Sequence, residues 1–155
     1  MPIYLAYYLI STFAHYIYLH ITMQYIYELK FKVRDYECDL QGIVNNAVYQ
    51  NYLEHTRHEF ALAEGLSFSD MHNRGIDAVV VRVDIRYKNS LRSEDEFLSK
   101  LYVQKEGIKY VFYQDIYKIA GNTLCVKAKI ETVVIVNGKL SDGCKEMNEV
   151  FEKYI

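Results

Sequence analysis

From Tyr25 onward apolar and charged positions alternate: Tyr25, Tyr27, Leu29, Phe31 and Val33 are separated by Glu28, Lys30, Lys32 and Arg34. A period of two marks a strand with one buried and one wet face, which predicts a first strand over 25–35. The stretch 37–44 has no clean period and contains Gly42, so it reads as a loop. Asn45 and Asn46 follow, and an Asn side-chain oxygen can accept a free amide of a helix's first turn. Tyr49, Tyr52, Leu53, Thr56, Phe60 and Ala63 then recur at three- and four-residue steps, with Gln50, Glu54, Arg57 and His58 towards the other side. Gly65 is placed to stop this helix, which spans about 18 residues or roughly 27 Å.

Alternation returns after a loop containing Ser67, Asn73 and Gly75. Val79, Val81, Val83, Ile85 and Tyr87 are predicted to share one face of a second strand, with Arg82, Asp84 and Arg86 on the other. Phe97, Leu101 and Val103 mark a third strand, joined by the Glu106-Gly107 turn to a fourth over 108–119. The fourth is apolar on both faces, which predicts an interior position with both sides covered, a second subunit being one such cover. A Gly121-Asn122 turn leads to a fifth strand ending at Val136, closed by the hairpin dipeptide Asn137-Gly138. Residues 145–154 form a short charged tail with a helical option. One long helix and about five antiparallel strands must share a core, so an α+β domain is expected with the helix across one sheet face.

Composition narrows the class. The chain has 155 residues, 51% of them hydrophobic and 25% charged, which suits one folded domain and excludes a disordered chain. With 18 Lys and Arg against 20 Asp and Glu, the formal charge of -2 offers no basic surface for phosphates, and nucleic acid is not expected as a partner. Cys38, Cys125 and Cys144 are odd in number and lack CxxC spacing, so a reducing compartment, the cytoplasm, is the simpler inference. The 16 tyrosines are the unusual feature; their rings favour strands and can line a site that is apolar on one side and wet on the other.

Residues 1–27 carry no Asp, Glu, Lys or Arg. The run from Ile3 to Ile21 approaches the length of a membrane span, about 20 residues, but it contains Ser11, Thr12, His15 and His20 and has no basic flank. The expectation is an uncharged, Tyr-rich extension over 1–22 with the patterned domain over 23–155. A membrane anchor and a docked extra element are the alternatives, and membrane association is not favoured.

Candidate chemistry clusters between Asp35 and Arg57. Asp39 lies in the loop just ahead of the helix, where unpaired amides can hold an anion or polarise a carbonyl. A carboxylate beside such amides suits acyl transfer, although Asp before a helix is more often a turn or capping residue. Cys38 reads as a small buried hydrophobe rather than a nucleophile, because no histidine is near it in sequence. His55 and His58 lack a third ligand, so no metal is expected. Arg86, Lys88 and Arg92 gather after the second strand, as a solvated rim or as contacts for phosphates.

The pattern Asp39-x-x-Gly42-x-Val44-Asn45-Asn46-x-x-Tyr49-x-x-Tyr52-x-Glu54-x-x-Arg57 resembles a segment of the 4-hydroxybenzoyl-CoA thioesterase family. The similarity of arrangement extends from about Tyr25 to Val136. It implies the hot-dog fold, an antiparallel five-stranded sheet wrapped around one central helix, and hydrolysis of acyl-CoA or acyl-carrier-protein thioesters with Asp39 as nucleophile or general base. Aspartate, with an ordinary pKa of about 3.9, is a weak base, so direct attack or a tuned site would help. Many members have histidine where this chain has Asn46 or Ile43, and Asn46 can donate a hydrogen bond but cannot exchange protons. Amides near Asn46 and Ala47 are expected to polarise the thioester, Gly42 and Asn45 to shape the loop, and Arg86, Lys88 and Arg92 to meet coenzyme A phosphates. Tyr49 and Tyr52 are candidates for the acyl pocket or simply for the core, and Glu54 is expected to pair with Arg57. No cofactor is implied beyond the coenzyme A of the substrate. Self-association to a dimer or tetramer is expected, with each site at a subunit boundary. A hot-dog protein that binds thioesters without hydrolysing them remains the rival, whereas a dehydratase would need a histidine that 35–54 lacks.

Overall fold

The computed structural model describes residues 24–154. The extension over 1–22 therefore lies outside the described residues, as does the boundary at residue 23. The alternating segment forms β1 (Tyr27–Lys32), and a 3-10 turn at Asp35–Glu37 leads towards the long helix α1 (Asn46–Ala63). A short helix α2 (Phe68–Asn73) follows where the sequence suggests only loop; Ser67 caps it by accepting the Asp70 amide. Then come β2 (Ile76–Tyr87), β3 (Glu96–Glu106), β4 (Lys109–Lys118), β5 (Thr123–Val136), a three-residue β6 (Lys139–Ser141) and helix α3 (Lys145–Phe151). Asn137 and Gly138 both have positive φ, +49° and +78°, as a tight hairpin turn requires, and the turn creates β6, a strand beyond the expected five.

All neighbouring strands pair antiparallel in the order β1-β3-β4-β5-β2, with β6 beside the end of β5. One face of this curled sheet receives α1, which is the arrangement that the Asp39–Arg57 pattern implied. Tyr49, Tyr52, Leu53, Thr56 and Phe60 bury the inner side of the helix against Phe97, Leu101, Ile116 and Ile130. The fourth strand is interior, as its two apolar faces suggested: β3 and β5 flank it, and Tyr110, Val111 and Ile116 are fully buried.

The second strand departs from simple alternation. The β2–β5 register slips between Val80 and Arg82, so Val81 is an extra residue. A bulge reverses the facing of everything beyond it. Val80 lies opposite Thr132 and Val83 opposite Ile130, so Val79 and Val81 do not continue the face of Val83, Ile85 and Tyr87.

The helix meets the sheet through hydrogen bonds as well as through apolar packing. Thr56 donates to the Tyr52 carbonyl and pairs with fully buried Ser99 on β3. Gln114 on β4, also fully buried, donates to the Leu53 carbonyl and accepts from Arg57. At the start of the helix the buried carboxylate of Glu37 accepts the Tyr52 hydroxyl at 2.6 Å and the Arg34 amide at 2.7 Å. Replacing Tyr52 with Phe removes a donor to a buried charge, and a loss of about 1.5–3 kcal/mol in unfolding free energy by urea titration is expected.

Candidate active site

The loop before α1 is held by short-range bonds. Cys38 and Val44 form a single antiparallel bridge, the Asp39 amide donates to Ile43, and the Gly42 amide returns to the Asp39 carbonyl. Gly42 has φ +71°, where a side chain is strained, so glycine is required by the turn. Within this loop the Gln41 amide donates to Asp39 Oδ1 at 2.8 Å. Asp39 Oδ2 accepts no hydrogen bond among the described residues. The carboxylate is half-buried, with one oxygen fixed and the other available.

The start of α1 supplies the second component. Asn45 is the N-cap and its Oδ1 accepts the Ala47 amide at 2.9 Å, while the Val48 amide returns to the Asn45 carbonyl. The expectation that the Ala47 amide polarises a carbonyl is therefore corrected, because the cap already occupies that donor. The Asn46 amide makes no hydrogen bond among the described residues. It stands at the positive end of an 18-residue helix.

Asp39, Asn46 and Tyr49 line one side of a cleft of about 420 Å³, with Tyr87, Lys88 and Asn89 on the opposite side. Tyr87 was not singled out from the sequence. Its hydroxyl donates to the Asn46 carbonyl at 3.0 Å, and its ring meets that of Tyr49 edge-on at 5.5 Å. The Tyr49 hydroxyl oxygen accepts the Leu91 amide, and burial pushes the Tyr49 phenol upward from its ordinary pKa. Lys88 is placed by its amide bond to the Cys125 carbonyl, and its ammonium has no ion-pair partner among the described residues.

Other expected residues fall elsewhere. Tyr52 is turned into the core towards Glu37 and does not line this cleft; it borders a wider groove of about 1000 Å³ between β1 and α1. Arg86 lies 3.7 Å from Asp84, outside the cleft, and Arg92 donates to the Gly42 carbonyl, bracing the loop from behind. Glu54 does not form the expected ion pair with Arg57. It faces His58 at 3.9 Å, while Arg57 turns inward to Gln114. Among the described residues no three His, Cys, Asp or Glu side chains gather as a metal site. No helix among the described residues is long and apolar enough to cross a membrane.

A curled antiparallel sheet enclosing one helix, with a carboxylate at the helix start, defines the hot-dog class. Solved structures of this shape include a hypothetical protein from Aquifex aeolicus, with TM-score 0.76, 28% identity, and coverage of 81% of this chain and 98% of that one. Another is a 1,4-dihydroxy-2-naphthoyl-CoA thioesterase from Synechocystis, with TM-score 0.76, 15% identity, and coverage of 81% and 94% respectively; at that identity the likeness is of fold alone. Residues 33–152 match the model of the thioesterase-like superfamily, and the chain belongs to that family. Among curated relatives, the chloroplastic acyl-acyl carrier protein thioesterase ATL3 of Arabidopsis thaliana is 32% identical over 108 residues, covering 69% of this chain and 57% of that protein. The chain thus spans less than two thirds of the length of the plant relatives it matches.

The turn that presents Asp39 depends on Gly42. A Gly42→Ala substitution forces a left-handed conformation on a residue with a Cβ, and urea denaturation should show a loss of about 1–2 kcal/mol.

Proposed function

We propose that this protein hydrolyses acyl thioesters of coenzyme A or acyl carrier protein, in the manner of the 4-hydroxybenzoyl-CoA thioesterase family, with Asp39 as the reacting carboxylate. The supporting observation is that Asp39, with one carboxylate oxygen free of hydrogen bonds among the described residues, and Asn46, whose amide is unpaired among them, line the same cleft. The thioester carbonyl oxygen would lie at the Asn46 amide, where the helix dipole and the N–H stabilise the negative charge that builds on it. Asp39 then attacks the acyl carbon, the C–S bond breaks, and water hydrolyses the resulting anhydride. Alternatively Asp39 takes a proton from a water that attacks directly. Both routes deliver the free acid and a thiol.

No histidine lines the cleft, and the chemistry tolerates this. A thiol of pKa about 8.5 leaves as its thiolate far more readily than an alkoxide, so no acid is needed to protonate the departing sulfur. Lys88 lines the cleft and is exposed, so its ammonium would suit a phosphate of coenzyme A or of a carrier's prosthetic arm. Arg86 and Arg92 lie outside this cleft, and Arg92 is already engaged with the Gly42 carbonyl. Tyr49 and Tyr87 offer ring surface for the acyl group near the thioester. The name of the plant relative supports the carrier-protein arm of this reading.

Self-association is proposed through β2 rather than through the interior β4. β2 is a 12-residue strand at the end of the sheet, with one edge unpaired among the described residues and Val79, Val81 and Val83 exposed. A long edge without proline invites pairing with another strand, and a second copy satisfies it. Antiparallel pairing would bring the Tyr87 end of one copy beside the Ile76 end of the other, placing each cleft at the subunit boundary.

Asp39→Asn is expected to lower kcat for thiol release from acyl-CoA by about 10²–10⁴-fold while leaving the fold intact by circular dichroism. Undiminished turnover in that variant removes the assignment, and an inactive wild type across chain lengths favours the thioester-binding reading. Val81→Lys should convert the assembly to monomers in light scattering, whereas a wild type already monomeric at micromolar concentration rules out the pairing.

A further inference from the structure

The Glu54-x-x-Arg57 part of the sequence pattern has no role in the cleft, yet Arg57 borders a second cavity. This pocket of about 180 Å³ lies between α1, the edge strand β2 and helices α2 and α3. Phe68, Ala78, Val80, Phe112 and Met147 supply apolar walls, and Arg57, Thr132 and Asp77 are polar groups of the lining, the Asp77 carboxylate being engaged by His72 Nδ1. Its volume matches about six groups the size of a water molecule. His58 packs against Phe68 with the rings tilted and their centroids 5.2 Å apart, and with Glu54 it joins the lining.

Arg57 is unusual for a guanidinium in such a position. Among the described residues it donates one hydrogen bond, to Gln114 Oε1 at 2.8 Å, and Gln114 is itself fixed by its bond to the Leu53 carbonyl. Burial pulls the guanidinium down to about 10, against the opposing influence of Glu54. A guanidinium has five N–H donors in a rigid fork, so four remain for water or for a ligand. An apolar pocket with one preorganised donor group binds molecules that are largely hydrocarbon and carry one acceptor oxygen.

The pocket and the cleft have no lining residue in common but lie along the same two elements, α1 and β2. Asn46 and Arg57 are about three helical turns apart on one side of α1, roughly 16 Å along its axis, and helical side chains lean back towards the N-terminus. β2 passes both sites, with Tyr87 at the cleft and Ala78 and Val80 at the pocket. We propose that this pocket receives the far end of the acyl chain and that Arg57 selects chains bearing an oxygen there, as a carboxylate, hydroxyl or oxo group. This specificity rests on the thioesterase reading of the Asp39 cleft.

The test compares coenzyme A thioesters of graded chain length, each unsubstituted, ω-hydroxylated and ω-carboxylated. At the fitting length the oxygenated forms should exceed the unsubstituted one in kcat/KM by about ten- to a hundredfold, the range of a hydrogen bond to a charged group. Arg57→Met should bring the three forms of each thioester to equal kcat/KM, because the hydrocarbon contacts they share remain. Arg57→Lys should keep part of the preference for the carboxylate only. Should Arg57→Met fail to fold, Ala78→Leu fills the pocket without touching the guanidinium and must shift the optimum to shorter chains. Equal rates for the three forms, or a preference that survives Arg57→Met, overturns the proposal and leaves hydrolysis at Asp39 standing. If no thioester is hydrolysed, the thioesterase reading falls. The pocket is then judged by titrating the same thioesters into the Asp39→Asn protein by NMR. Shifts of the Arg57 side-chain signals uphold it, and their absence overturns it.

Discussion

The carboxylate of Glu37 is the fixed point on which the candidate site depends. It is buried, with only 8% of the residue exposed, and it accepts the Tyr52 hydroxyl from α1 and the Arg34 amide from the segment after β1. The Glu37 carbonyl meanwhile accepts the amide of Asn45, the helix cap. One residue thus ties the strand exit, the loop and the first turns of the helix together. A buried charge without partners would be costly, so these bonds are coupled: loosening one strands the others. The seven residues between Glu37 and Asn45 are held at both ends, and Asp39 therefore has a defined position relative to Asn46.

The helix start differs from a simple capped terminus in one respect that matters for chemistry. Asn45 occupies the Ala47 amide and the Val48 amide is bonded to Asn45, leaving the Asn46 donor for an external acceptor. The cap stabilises the helix and selects which amide is offered. Tyr87 then holds the Asn46 carbonyl, so the residue that carries the useful amide is fixed on its carbonyl side. Preorganisation of this kind lets a single donor stabilise developing charge without rearrangement during the reaction.

The inner face of α1 is not a plain apolar stripe. Thr56, Ser99 and Gln114 bury polar atoms between helix and sheet, and every one of them is hydrogen-bonded. Satisfied polar groups set the rotation and height of the helix against β3 and β4, where apolar contacts alone would allow sliding. Arg57 belongs to this network at one end and to a cavity at the other. That explains why a charged residue in the sequence pattern points inward, and why Glu54 is left to His58.

The local pattern alone determined the long helix, the five main strands and their order, but not the short α2 and β6. Alternation marked β1, β2, β3 and β5, a run apolar on both faces marked β4, three- and four-residue spacing marked α1, and Gly42, Asn45 and Gly65 marked its punctuation, because strand pleat and helical pitch impose those periods on adjacent residues. The Asp39–Arg57 pattern also carried the fold class and the carboxylate at the helix start. What the tertiary structure decided were the contacts between residues distant in sequence: Tyr87 across from Asn46, Tyr52 against Glu37, and Arg57 against Gln114. It also decided the bulge at Val81, which reversed the facing read from alternation, because register is set by the partner strand and not by the strand itself. Side chains of the same type parted company for the same reason. Tyr49 lines the cleft while Tyr52, one turn on, is claimed by a buried carboxylate that no periodicity in the chain announces.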